Sequence, residues 1–198
     1  MSFKVLFDAN VLCQLYPSEI CFQFASNELF LPLWSEKIFD EMREYGKSKI
    51  VQKPNLILGI NKRIDIISNI YKDSCVYGFE HLEPTIILPD PGDAHILAAA
   101  IQGKAAVIVT NNVKHFPNEI LDEYGIDVYT PDEFFQLQHG LMPETVIVSI
   151  AEMLNRWDNP HTETEKFLKD IEEVFPLFAA ILFENKGNID FRRSMLDK

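Results

Sequence analysis

Short apolar runs alternate with amphipathic stretches along the first two thirds of the chain. Residues 3–7 and 105–109 are continuous apolar runs, as expected of parallel strands that are buried on both faces of a sheet. Residues 85–88 are apolar and β-branched, with prolines just after them, and are predicted to form another strand. Residues 127–129 give a last strand, whereas residues 29–33 are read only as a short apolar stretch.

Between these runs, apolar residues recur at helical spacing behind recognisable start signals. Pro17 is expected to interrupt the first helix, with Ser18 capping its continuation. Ser35 is predicted as the cap of the next helix, and Pro54 lies near the start of a third. Further helices are predicted over residues 93–102 and around residues 119–124, and another begins at Thr130-Pro131-Asp132-Glu133.

The order of these elements predicts an α/β fold, a mostly parallel sheet flanked by helices with right-handed crossovers. The pattern changes after about Gln138, and we predict a sheet domain over residues 1–138 and a helical extension over residues 139–198. Within the extension, residues 143–157 and 162–184 are predicted as two helices joined by a turn at residues 159–161. Pro176 is expected to kink or break the second of them.

Composition places the chain among ordinary globular proteins, with 47% apolar and 24% charged residues in 198. Its apolar runs fall far short of the roughly 20 residues that span a membrane. The N-terminus enters a strand pattern and reaches Asp8 too soon for a signal peptide. The three cysteines show no zinc spacing and are expected to be thiols in a reducing cytoplasm.

The net charge of −12 argues against a protein that coats nucleic acid non-specifically. One segment reverses this balance, because residues 43–64 hold six basic side chains and the single acid Glu44. The four basic residues that we consider for RNA binding are Arg43, Lys47, Lys49 and Lys53. The alternative interpretation is a solvated helix face.

Acidic and amide side chains stand where the predicted strands end. Asp8 follows the first strand and Asn112 follows the strand at residues 105–109, so a parallel sheet places both at one edge. Glu41 and Asp93 lie on or before helices that can face that edge. Taken singly, these acids could be a turn acid, an exposed helix acid and a helix cap. Clustered, they are expected to hold a divalent cation, and oxygen ligands favour Mg²⁺ or Mn²⁺ over zinc.

Four segments in the same order resemble PIN-domain ribonucleases of the VapC toxin type: VLFDANVL, SEKIFDEM, DPGDAHILAAA and IVTNNVKHFP. The resemblance covers residues 3 to about 138, and the tail resembles the helical extension of one branch of this family. It implies that Asp8, Glu41 and Asp93 hold Mg²⁺ or Mn²⁺ while a bound water attacks an RNA phosphodiester. The fourth catalytic position of the family falls on Asn112.

Two positions depart from the family pattern. Many PIN domains have an acid where this chain has Asn112, and the branch pattern T-x-N-x-x-D-F-P has an acid where this chain has His115. Both changes reduce the negative charge, which favours one cation, or one tight and one weak, over two tight ones. Asp90, His115 and Asn10 are further candidates for the site, although Asp90 could be a turn acid and His115 a surface turn residue.

Two other classes of protein share part of this pattern. A phosphatase of the haloacid dehalogenase type also begins with a strand and an aspartate but needs a second aspartate where this chain has Asn10. A catalytically silent PIN-like module that binds RNA or protein is the stronger rival, because Asn112 and His115 both replace acids. The resemblance further implies a cognate antitoxin that covers the site, and a homodimer.

Overall fold

The computed structural model describes residues 3–157 and 163–196. Its described strands are β1 (Lys4–Phe7), β2 (Leu31–Leu33), β3 (Val107–Val109) and β4 (Asp127–Tyr129). Its described helices are α1 (Ala9–Leu12), α2 (Leu15–Ser26), α3 (Glu36–Ser48), α4 (Leu56–Ile70), α5 (Ala94–Gly103), α6 (Asn118–Leu121), α7 (Pro131–Leu141), α8 (Pro143–Arg156), α9 (Thr164–Glu172), α10 (Pro176–Glu184) and α11 (Lys186–Leu196). Among these helices, none is both long and apolar enough to cross a membrane.

The four strands form one parallel sheet in the order β2-β1-β3-β4, which confirms the predicted α/β class. In the register of the central pair, Phe7 lies opposite Val109. The last three residues of β1 and all of β3 are buried, as their apolar runs predict. The residues that follow these two strands therefore emerge side by side at the carboxyl edge of the sheet.

The chain divides into two compact units. The first contains the residues up to Ser18 and Phe30–Thr130, and it holds the whole sheet together with α1, α3, α4, α5 and α6. The second contains Glu19–Leu29 and the chain from Pro131 onward. The predicted boundary at residue 138 stays a prediction.

The second unit has an aromatic core of its own. The ring of Phe135 lies 5.7 Å from that of Phe24 and 5.3 Å from those of Phe175 and Phe178, measured between centroids. Pro176 is the first residue of α10, so the predicted helix over residues 162–184 is broken into α9 and α10. The next helix, α11, was not predicted. The predicted turn at residues 159–161 lies outside the described residues.

Two predictions about the first unit are wrong. Residues 86–88 join no strand of the described sheet, and the fourth strand is instead β2. Ile86 and Leu88 are buried while Ile87 is 84% exposed, so an extended chain with alternating burial mimics the strand pattern. Pro17 does not interrupt a helix, because it lies in the first turn of α2, where a missing N–H breaks no intrahelical hydrogen bond.

Candidate active site

Three acids from three elements line one cleft at the carboxyl edge of the sheet. Asp8 follows β1 and caps α1, Glu41 lies on α3, and Asp93 lies just before α5. The cleft has a volume of about 580 Å³, and we call it the acidic cleft. Its acidic and amide lining residues are Asp8, Asn10, Gln14, Glu41, Asp93, Asn111 and Asn112.

Asp8 is held by a network that joins the ends of β1 and β3. Its Oδ2 accepts hydrogen bonds from Thr110 Oγ1 at 2.6 Å and from Asn10 Nδ2 at 2.6 Å. Asn10 Nδ2 also donates to Thr110 Oγ1 at 3.1 Å, and Asn112 donates its backbone N–H to the same oxygen at 3.0 Å. Thr110 is thus the centre of the network, and it was not among the predicted site residues although it follows β3 directly.

Asn10 is fixed from the other side as well. Its Oδ1 accepts the backbone N–H of Asn111 at 3.0 Å, so its amide bridges the chain after β1 and the chain after β3. The predicted candidate Asn10 therefore lies in the cleft and orients the Asp8 carboxylate. Asn112 also lines the cleft, as its position after β3 predicts.

The environment of Asp8 favours its protonated form. Burial raises the pKa of this carboxyl, and the charges of Glu41 and Asp93 raise it further, while the bonds from Thr110 and Asn10 act in the opposite direction. The contribution from Glu41 and Asp93 shows that the three carboxylates interact electrostatically. A site that concentrates negative charge in this way is suited to a divalent cation.

Glu41 is oriented by a histidine that the sequence prediction overlooked. Nε2 of His95 lies 2.7 Å from Oε1 of Glu41, and His95 is 1% exposed. Its other ring nitrogen is buried without a hydrogen-bond partner among the described residues, so the imidazole presents its polar contact to Glu41 alone. The clue in the sequence was its place two residues after Asp93.

Asp93 forms a second histidine pair. Nδ1 of His115 lies 2.6 Å from Oδ2 of Asp93 and 3.8 Å from Oδ2 of Asp90. The Asp93 side chain makes no capping bond to α5, whereas Asp90 accepts a hydrogen bond from the backbone N–H of Gly92. The helix-cap interpretation of Asp93 is therefore not realised, and its carboxylate faces His115 instead.

Ligand atoms of Asp90, Asp93 and His115 lie within 4.8 Å of one another, close enough to share one metal ion. Within the described ranges, this is the one group of three such residues that meets that distance. Of this group only Asp93 also lines the acidic cleft, and the other two acids of that cleft, Asp8 and Glu41, do not belong to the group. The oxygen-rich donor set, with one imidazole, fits a divalent cation, and Asp93 belongs both to this group and to the predicted set.

The four basic residues considered for RNA binding lie in different settings. Arg43 donates to Glu36 at 2.8 Å and to Asp40 at 2.7 Å, and Lys47 donates to Glu44 at 2.6 Å. Lys49 lies 5.7 Å from the centroid of the Tyr45 ring. Lys53 lines a second cleft. All four assignments stay predictions.

The chain is an α/β protein with a parallel sheet and an acid-lined cleft at the carboxyl edge of that sheet. Residues 4–114, more than half of the chain, match the PIN domain family. The chain belongs to this family, and the resemblance predicted from the four segments is confirmed.

One curated relative is "Putative ribonuclease VapC50" of Mycobacterium tuberculosis (strain ATCC 25618 / H37Rv), which is 39% identical over 88 residues. The alignment covers 44% of this chain and 52% of the relative, so the chain spans about half the length of the protein that it matches. No solved structure matches the chain.

Proposed function

We propose that this protein is a metal-dependent endoribonuclease that hydrolyses RNA phosphodiester bonds in the acidic cleft. The observation that carries the proposal is the convergence of Asp8, Glu41 and Asp93, from three separate elements, on one cleft. The name of the relative, which calls that protein a ribonuclease, supports RNA as the substrate. A bound Mg²⁺ or Mn²⁺ would supply charge stabilisation at a phosphoryl oxygen and an activated water.

The residues of the chain have separate tasks in this proposal. Asp8, Glu41 and Asp93 would hold the cation, with Asp90 and His115 adding to the binding group around Asp93. Thr110 and Asn10 fix the Asp8 carboxylate, and His95 fixes Glu41. Asn112, which lines the cleft, would bind and orient the substrate as a neutral amide.

The test is the cleavage of a mixed tRNA and rRNA pool with Mg²⁺, with Mn²⁺ or with EDTA. We expect cleavage with at least one of the metals and none with EDTA. If the protein is inert at high enzyme and Mn²⁺ concentrations, the silent binding module becomes the better account. In that case Mn²⁺ should also fail to raise the melting temperature, whereas a ligand that binds the folded state at 100 times its Kd stabilises it by about 2.7 kcal/mol.

We also propose that the protein acts in the cytoplasm as the toxin of a toxin–antitoxin pair, as a homodimer whose cleft is covered by its antitoxin. The support is its similarity to VapC-type proteins. Co-purification with the product of the neighbouring gene tests the pairing. A monomeric mass in solution would contradict the homodimer.

A further inference from the structure

A second cleft of about 420 Å³ adjoins the acidic cleft. The two clefts share the residues Cys13, Gln14 and Tyr45, so they form a continuous surface. The second cleft is also lined by Lys53 and Arg63, and we call it the basic cleft. The charge along this surface therefore changes from negative, at the carboxylates of the acidic cleft, to positive, at Lys53 and Arg63.

Arg63 lines the basic cleft together with Cys13, a residue that both clefts share. Its Nη1 donates to the backbone carbonyl of Leu12 at 2.8 Å, which fixes the guanidinium beside the end of α1. Burial raises the pKa of the Cys13 thiol to about 12, Arg63 acts to lower it, and Asp8 and Glu41 act to raise it. Cys13 lines both clefts and therefore marks the border between them.

The remaining walls of the basic cleft suit a nucleotide. Leu56 and Ile60 provide an apolar surface, and the cleft lies at the start of α4, where the helix dipole adds partial positive charge. Tyr45 lines both clefts, is 41% exposed, and has Lys49 5.7 Å from its ring centroid. Exposed aromatic rings beside cations are the usual platform for bases of single-stranded nucleic acids.

Two further basic side chains of this region, Arg43 and Lys47, bond to acids of α3. Arg43 bonds to Glu36 and Asp40, and Lys47 bonds to Glu44, so their charge is largely balanced on α3 itself. In a chain with net charge −12, a phosphate-binding function requires a local concentration of positive charge. Lys53 and Arg63 provide one directly beside the carboxylates.

We infer that the basic cleft is a subsite for a nucleotide next to the scissile phosphate of single-stranded RNA, with its base on Tyr45 and its phosphate at Lys53 and Arg63. This inference rests on the proposed function, because the acidic cleft must hold the scissile phosphate. The subsite explains how an acidic protein retains an RNA strand. It also predicts that RNA affinity depends on residues outside the metal-binding group.

The phosphate contact is tested by the affinity of the full chain for a fluorescent single-stranded RNA hexamer in EDTA, measured by anisotropy over a range of salt concentrations. Lys53→Ala should weaken binding by roughly fivefold at low salt, the size of one exposed charge pair. It should also reduce the slope of log Kd against log salt by about 0.7, as expected for one lost phosphate contact with a single strand. Lys62→Ala, an exposed lysine of α4 outside both cleft linings, is the matched control and should change neither quantity.

The stacking contact is tested with Tyr45→Ala and Tyr45→Phe. Loss of the ring should weaken hexamer binding by at least about fivefold, whereas Tyr45→Phe keeps the aromatic face and should bind like the wild type. Because Tyr45 is 41% exposed, neither variant should unfold, and melting temperatures check this.

The outcomes separate this inference from the proposed function. If the wild type cleaves the hexamer with Mn²⁺ while Lys53→Ala and Tyr45→Ala retain its affinity and salt slope, the subsite is wrong and the nuclease stands. A protein segment would then be the occupant to seek in the basic cleft. If the wild type is inert but its RNA affinity depends on Lys53 and Tyr45, the nuclease fails and the subsite stands. A wild type that does not bind the hexamer overturns the subsite.

Discussion

Asp8 is the acid on which the site places the strongest constraints. It is 5% exposed, it accepts two side-chain hydrogen bonds, and it interacts with two further carboxylates. Such an arrangement stabilises a bound cation and disfavours the empty, ionised site. An ionised carboxylate at this buried position suits a bound cation but lowers the stability of the metal-free protein.

The first prediction concerns Asp8→Asn in metal-free protein. The pKa of Asp8 is raised above its ordinary value of 3.8, chiefly by burial, so the folded state holds the proton more tightly than the unfolded chain. Below the pKa that Asp8 has in the unfolded chain, the carboxyl is protonated in both states and does not change the free energy of unfolding. As the pH rises through the pKa that Asp8 has in the folded state, ionisation of the buried carboxyl lowers that free energy progressively. At pH 7 in EDTA, Asp8→Asn should raise the free energy of unfolding by about 1 kcal/mol, measured with urea.

The gain from Asp8→Asn should disappear as the pH falls toward 3.8, the ordinary value for aspartate. Asp65→Asn, an exposed position on α4, is the control and should have little effect. A variant that is less stable than the wild type at every pH would contradict this description of Asp8. With Mn²⁺ present, the wild type should be more stable than Asp8→Asn, because the wild type gains more binding energy than the variant.

The second prediction concerns His95, which acts through Glu41 and is a positioning residue. His95→Leu removes the 2.7 Å contact to Glu41 and should lower Mn²⁺ affinity and kcat by about 10- to 100-fold. His95→Gln keeps an N–H donor and should retain part of the Mn²⁺ affinity and part of kcat. His81→Leu is the control, since His81 is bonded to the Gly78 carbonyl on an exposed segment. Unchanged Mn²⁺ affinity in a folded His95→Leu variant would rule out this role.

At the scale of elements, the close approach of α3 and α4 sets the walls of the basic cleft. A Cβ at Gly46 would lie 3.1 Å from the Cα of Ile57 and 3.0 Å from the Cδ1 atom of Ile60. Gly46 therefore permits this approach, directly beside Tyr45. Gly59 lies across the cleft on α4, and a Cβ there would meet no atom within 4 Å among the described residues.

The third prediction compares these two glycines. Gly46→Leu must separate α3 from α4 and should lower the free energy of unfolding by about 1–3 kcal/mol. Gly59→Ala should raise it by about 0.4–1 kcal/mol, because it restricts the unfolded chain and adds no contact. Urea unfolding measures both, and equal stability of Gly46→Leu and the wild type would show that the helices do not need this approach.

Elements with a local signal were predictable from the sequence. Ser35 caps α3 through the N–H of Ile38, and β4 has the predicted bounds of residues 127–129. The fourth strand was missed because β2 has three residues, one of them a proline, and little pattern of its own. Residues 85–88 were mistaken for a strand because a short apolar, β-branched run does not reveal whether a partner strand lies beside it.

The same limit applies to the site. The edge position of Asp8 and Asn112 follows from the parallel direction of β1 and β3, which the sequence pattern predicts. The pairing of Glu41 with His95 depends on how α3 and α5 approach in space, and no local pattern encodes that. The basic segment was recognisable, but only the packing of α3 against α4 shows that Lys53 and Arg63 line one cleft.

At the scale of the molecule, charge is distributed unevenly. The chain has 30 acidic and 18 basic residues, yet the surface around the site has acids in one cleft and cations in the next. A cation in the acidic cleft would remove the repulsion between its carboxylates and RNA. RNA binding and metal binding should therefore support each other.

The most direct test of the central claim is the rate of RNA cleavage by Asp93→Asn, since Asp93 belongs both to the acidic cleft and to the group close enough to share a metal. We predict a loss of about a hundredfold or more, equivalent to about 2.7 kcal/mol of transition-state stabilisation, in a variant that remains folded. Asp122→Asn, at an exposed position after α6, should cleave like the wild type. Cleavage by Asp93→Asn at the wild-type rate would contradict the account.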